Sequence, residues 1–153
     1  MRNLSLALLV FCVCVAVASR AGSAEQKLYV GAKACEFCHE EQYESYLKNS
    51  SKAHSWRSIE KMQSKLTKAE QQECYACHTT GYGKPGGFVS LAETPELANV
   101  SCESCHGPGS AHAEIGDPEE IMRTPDMQEC VVCHNAERIQ NFNFKPMLYH
   151  GGH

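Results

Sequence analysis

The chain has 153 residues, with 14 Lys and Arg against 18 Asp and Glu, a formal charge of −4. That length supports about one domain, and the acidic balance excludes the basic surface that nucleic acid requires. Ten cysteines are too many for an ordinary chain of this size and demand a chemical explanation.

Residues 1–24, MRNLSLALLVFCVCVAVASRAGSA, carry a basic start at Arg2, an apolar stretch from Leu4 to Ala18 and small residues before Glu25. This is the layout of a cleavable secretory signal, too short and wrongly flanked for a membrane span. Cys12 and Cys14 leave with it, and neither follows the small residue of a lipoprotein cleavage site. The expected product is residues 25–153, a single exported domain, periplasmic or extracellular, that does not span a membrane. Losing Arg2 and Arg20 leaves 12 Lys and Arg against 18 Asp and Glu.

The eight remaining cysteines would ordinarily be read as disulfides in an oxidising compartment. They fall instead as Cys35/Cys38, Cys74/Cys77, Cys102/Cys105 and Cys130/Cys133, and each pair is followed at once by histidine: His39, His78, His106 and His134. Zinc thiolate sites, thioredoxin-like pairs and disulfides need no histidine there. With 8 histidines in 153 residues, chance placement of all four is on the order of one in 100,000, and C-x-x-C-H is the c-type haem attachment signature. On one helical turn two thiols reach the two vinyl groups of a porphyrin, and the histidine lies beneath the iron as proximal ligand. Four covalently bound haem c groups are expected.

In chain order, residues 40–73 are charged and free of Gly and Pro, with Tyr43, Leu47, Trp56, Ile59, Met62 and Leu66 at mostly helical spacing. One or two helices are expected there, with Trp56 and Met62 packing into the core. Thr67 and Glu70 form a capping box for a helix from Lys68 through CYACH. GYGKPGGF breaks that helix and leads into a short extended piece at Phe88-Val89-Ser90. Thr94-Pro95 starts a helix ahead of Cys102, which Gly107-Pro108 stops after His106. Thr124-Pro125 does the same before Cys130, and Asp117-Pro118-Glu119-Glu120 opens one more short helix. The expected fold is mainly α with irregular loops, a small single domain whose core is four packed haems, about one per 32 residues.

His54, His112, His150 and His153 remain as distal ligands, with Met62, Met122, Met127 and Met147 as the methionine alternative. Two histidines on an iron tend toward lower potential than His/Met.

The runs KACEFCHEEQYESYLKNSSKAH, ECYACHTTGYGKPGGF and CESCHGPGSAH resemble the cytochrome c-554 family of tetrahaem carriers, over about Ala32 to His134. The resemblance implies a mostly α, haem-packed fold with three bis-histidine haems and a second haem left five-coordinate. It makes His112 the distal ligand of the first haem and gives His54 to a haem other than the adjacent one. The tail departs from the family, since NFKPMLYHGGH replaces a longer extension. Either His150 or His153 could supply the last ligand, and the other could close the second haem. The expected function is electron transfer between a redox protein donor and acceptor. The alternatives are reduction of a small nitrogen oxide at an open second haem, and assembly as a homo-oligomer or conductive filament.

Overall fold

A computed structural model describes residues 26–135. The expected signal segment and the tail with Met147, His150 and His153 lie outside the described residues. Those described are helical and irregular, with no strand among them and no helix long and apolar enough to cross a membrane.

Six α-helices are joined by 3-10 turns: α1 Glu40–Asn49, α2 Trp56–Met62, α3 Lys68–His78, α4 Glu103–His106, α5 Ser110–Ile115 and α6 Met127–Val131. The region expected as one or two helices breaks into α1, a turn at Ser51–His54, α2 and a turn at Gln63–Lys65. Helix α3 starts where the capping box puts it. Thr67 Oγ1 accepts from the Glu70 amide at 3.3 Å, and the Glu70 carboxylate accepts from the Thr67 amide at 2.8 Å.

Two start signals act differently from the expectation. Thr94-Pro95 opens only a 3-10 turn, Pro95–Leu97, because Thr94 Oγ1 is spent on the Val89 amide and the Ser90 carbonyl rather than on a cap. The helix of the third motif begins afresh at Glu103. Ahead of the fourth motif the cap is Asp126, whose carboxylate accepts from the Gln128 amide at 2.6 Å, and Thr124 lies outside the helix. Asp117 caps the Pro118–Glu120 turn as expected.

The apolar core is small. Trp56, Ile59, Phe88, Leu97 and Ala98 form one cluster, flanked by Tyr29, Cys74, Tyr75 and Tyr82. Met62, expected inside, is exposed because α2 turns its Trp56 and Ile59 side inward. Phe88 is buried in irregular chain rather than in a strand. Its amide donates to the Thr80 carbonyl at 2.9 Å, so residues 80–88 close into a loop. The glycines permit that closure: a Cβ on Gly87 would sit 1.8 Å from the Gly81 carbonyl oxygen, and Gly81 holds a positive φ of 69°. Thr80, 0 % exposed, donates from its hydroxyl to Asn99 O at 2.6 Å and from its amide to Leu97 O at 2.9 Å. The end of α3 is thereby bound to the segment leading into the third motif.

Candidate functional site

Each of the four motifs folds as a single helical turn. The His39 amide donates to the Cys35 carbonyl at 3.0 Å, His106 to Cys102 at 2.9 Å and His134 to Cys130 at 2.9 Å. The second motif closes α3. This puts both cysteines and the histidine of a motif on one side of the backbone. All eight described cysteines are free thiols. No group of three or more His, Cys, Asp or Glu among the described residues is arranged to hold a metal ion, so the C-x-x-C pairs do not converge into thiolate cages.

The thiols of different motifs meet. The Cys102 thiol is pulled down to about 7, first by the nearby Cys35 thiol, while burial opposes it. Cys77 lies beside Cys133, whose thiol burial pushes up to about 12 with help from Cys77. Cys105 is also raised, first by burial and then by Cys130. The thiols of the first and third motifs, of the second and fourth, and of the third and fourth therefore sense one another electrostatically.

Histidine tautomers follow from backbone carbonyls, which can only accept. His78 Nδ1 donates to Ser55 O at 3.1 Å, His106 Nδ1 to Met122 O at 2.7 Å, and His112 Nδ1 to Asp117 O at 2.9 Å. In each ring the proton sits on Nδ1 and the lone pair on Nε2, the arrangement that second-shell carbonyls impose on metal-binding imidazoles. The His134 imidazole is pushed below its usual range, first by burial and then by the nearby Lys52.

His39 and His112 face each other with ring centroids 6.2 Å apart and planes 27° from parallel. A metal–imidazole bond of about 2.0 Å, with each nitrogen about 1.15 Å from its ring centre, puts two rings on opposite sides of one iron at about 6.3 Å once their in-plane nitrogens are turned to it, which this stacked pair reaches by side-chain rotation. His54 is held locally: its Nε2 donates to Leu47 O at 3.0 Å, which leaves Nδ1 as the nitrogen with a lone pair. Its ring pairs with no motif histidine among the described residues.

Other features fit a large apolar group with carboxylate edges. Phe37, between Cys35 and Cys38, is 94 % exposed, and Val131 and Val132, between Cys130 and Cys133, are exposed as well. The buried indole Nε1 of Trp56 has no hydrogen-bond partner, and its ring packs 5.8 Å from that of Tyr75 inside the second motif. It is a donor open to a cofactor carboxylate.

The residues around the motifs match known proteins. A family model described as cytochrome c554 and c-prime covers residues 34–107, which takes in the first three motifs. Over those residues this chain resembles the cytochrome c-554 family. Cytochrome c-554 of Nitrosomonas europaea is 35 % identical over 92 residues, covering 53 % of this chain and 39 % of that protein. The chain thus spans about two fifths of the length of this relative. No solved structure matches significantly. The fourth motif lies beyond the matched residues.

Sequence reasoning missed two residues. Ser55 ties three segments together: its hydroxyl donates to His78 O at 2.9 Å and accepts from the Val100 amide at 2.9 Å, and its carbonyl holds the His78 ring. Glu103, inside CESCH, is a buried carboxylate. The only signal for either was position, immediately after His54 and between the two cysteines of the third motif.

Proposed function

We propose that the chain is an exported tetrahaem c-type cytochrome that carries electrons between redox protein partners. Haem c would be held through Cys35/Cys38, Cys74/Cys77, Cys102/Cys105 and Cys130/Cys133, with His39, His78, His106 and His134 as proximal ligands. The observation that carries this reading is the shared geometry: four one-turn motifs, each presenting two free thiols and a histidine. When bound, the haems supply one-electron iron centres.

The chain's own residues do the rest. Ser55, Met122 and Asp117 carbonyls orient His78, His106 and His112, and hold the Nδ1 proton so that Nε2 stays basic. His112, on α5, stands across from His39 at a separation suited to one shared iron. His54, His150 and His153 complete the distal set, with the second haem the candidate open site. Cross-motif contacts at Cys35/Cys102 and Cys77/Cys133 keep the attachment points adjacent, as a carrier needs.

The test is the intact mass of the protein from an exporting host. The expected result is four haem additions to a chain beginning near Glu25. A mass with three or fewer refutes the tetrahaem reading, and a haem-free mass with paired disulfides refutes the cytochrome reading for this chain.

A further inference from the structure

Glu103 is 2 % exposed, yet it sits between the two cysteines of the third motif. Its Oε1 accepts from the Val30 amide at 3.0 Å and the Gly109 amide at 2.8 Å. Its Oε2 accepts from Val30 at 3.1 Å and Gly31 at 2.7 Å. Every contact is an N–H donor, so both oxygens act as acceptors, which is the hydrogen-bonding of a carboxylate anion rather than of the acid. The two ion pairs among the described residues, Lys27–Glu120 and Lys33–Glu36, do not involve it. A buried charge without a countercharge is costly and is retained only where surrounding dipoles hold it.

What the carboxylate joins is specific. Gly31 is the N-cap of the 3-10 turn Ala32–Cys35 that enters the first motif. Gly109 is the N-cap of α5, which carries His112. One side chain therefore fastens the segment leading to His39 and the segment bearing His112. A Cβ on Gly109 would lie 3.2 Å from Glu103 Oε1, so the fit there is close. The carboxylate also acts electrostatically on the thiols of Cys35 and Cys102, the adjacent attachment points of two motifs.

We propose that Glu103 is a positioning residue whose buried negative charge locks together the two ligand-bearing segments of the first haem and depresses the reduction potentials of the haems attached at Cys35/Cys38 and Cys102/Cys105. The inference rests on the tetrahaem reading above. An anion in a low-dielectric setting favours the ferric over the ferrous charge state, and burial and local charge are levers by which a protein tunes haem potential. These two centres are set below the potentials they would have without the charge, with no difference in motif.

The experiment is spectroelectrochemical titration of the four-haem protein beside Glu103→Gln and a surface control, Glu60→Gln. Gln keeps the shape and removes the charge. The expected result is that two of four potentials rise, each by about a tenfold shift in its reduction equilibrium, which is about 59 mV for a one-electron couple. The other two stay, and Glu60→Gln changes none. Gln can also satisfy amides with only one oxygen, so a high-spin ferric signal from the first haem is expected to grow. Unchanged potentials in a fully loaded Glu103→Gln variant overturn the proposal alone. A wild-type mass lacking haem at the first or third motif overturns this proposal and the tetrahaem reading together. If the Gln variant does not accumulate, infrared difference spectra of wild-type protein labelled with carboxyl-13C glutamate decide. A carboxylate band that shifts as the haems of the first and third motifs are reduced supports the proposal, and its absence overturns it.

Discussion

His112→Ala should convert one iron of four from low to high spin and leave the remainder of the protein standing. The size of the effect comes from the ring separation. Two imidazoles sharing an iron need centroids about 6.3 Å apart, and His39 and His112 are 6.2 Å apart in stacked, near-parallel planes, so the separation is right and side-chain rotation must turn the two in-plane nitrogens to the metal. Removing the His112 ring costs the fold one hydrogen bond, from Nδ1 to Asp117 O at 2.9 Å, worth about 0.5–1.5 kcal/mol. That is too little to unfold a haem-loaded protein, so a spectral change reports ligation and not collapse. The assay is electron paramagnetic resonance of the oxidised protein, with free imidazole added to His112→Gly as a rescue. A new high-spin signal equal to a quarter of the iron, returned to low spin by imidazole, is the expected result. A parent spectrum in both variants refutes the assignment, as does loss of more than one low-spin centre.

Two further outcomes test the scaffold. Leu97 is 1 % exposed in the cluster that backs the second motif, so Leu97→Ala should lower stability by about 2.7–5.0 kcal/mol, read from denaturant midpoints. A loss under about 1 kcal/mol would show that the site collapses freely or that the cluster does not support the fold. Tyr46 is buried, donates to Val100 O at 2.8 Å, and has its pKa raised chiefly by burial. The neutral phenol is the form that folding favours, so its contribution is full below the unfolded value of about 10 and is lost as pH rises above it. Stability measured from pH 8 upward should fall beyond that point, and Tyr46→Phe should flatten the fall. A parallel decline in both proteins would assign it to other groups.

Much of this architecture is legible in the sequence, where local chemistry decides the outcome. The Thr67/Glu70 box marks the start of α3 because both partners lie within one turn. Gly107 ends the third-motif helix at a φ of 80°, a conformation that costs glycine little. Thr94-Pro95 misleads because a side-chain cap can be claimed by a competing donor, here the Val89 amide. Met62 misleads because spacing alone does not say which side of a short, broken helix faces the core. At the site, the motifs pick out in the sequence the thiols and histidines that the structure sets on single helical turns. The His39–His112 approach joins residues far apart in sequence and was accessible only through family likeness. Ser55 and Glu103 were invisible for a related reason: each serves the backbone of distant segments, and no local pattern encodes such a partner.

The distribution of burial bears on how the protein is assembled. Its apolar cluster lies almost wholly against the second motif, through Cys74, Tyr75 and Tyr82, with aromatic rings of Trp56, Tyr75 and Phe88 5.3–5.8 Å apart. At the first and fourth motifs the intervening side chains are exposed, and what ties the first and third motifs together is polar: the Glu103 carboxylate and the Cys35–Cys102 contact. Exposed apolar side chains and a buried anion do not stabilise a chain by themselves. Under the tetrahaem reading, haem supplies the missing apolar area there, so attachment and folding are one event around the first, third and fourth motifs. Around the second motif the aromatic cluster can form from protein alone. That asymmetry also fits the second haem as the open site, because its surroundings need no second ligand to hold them in place.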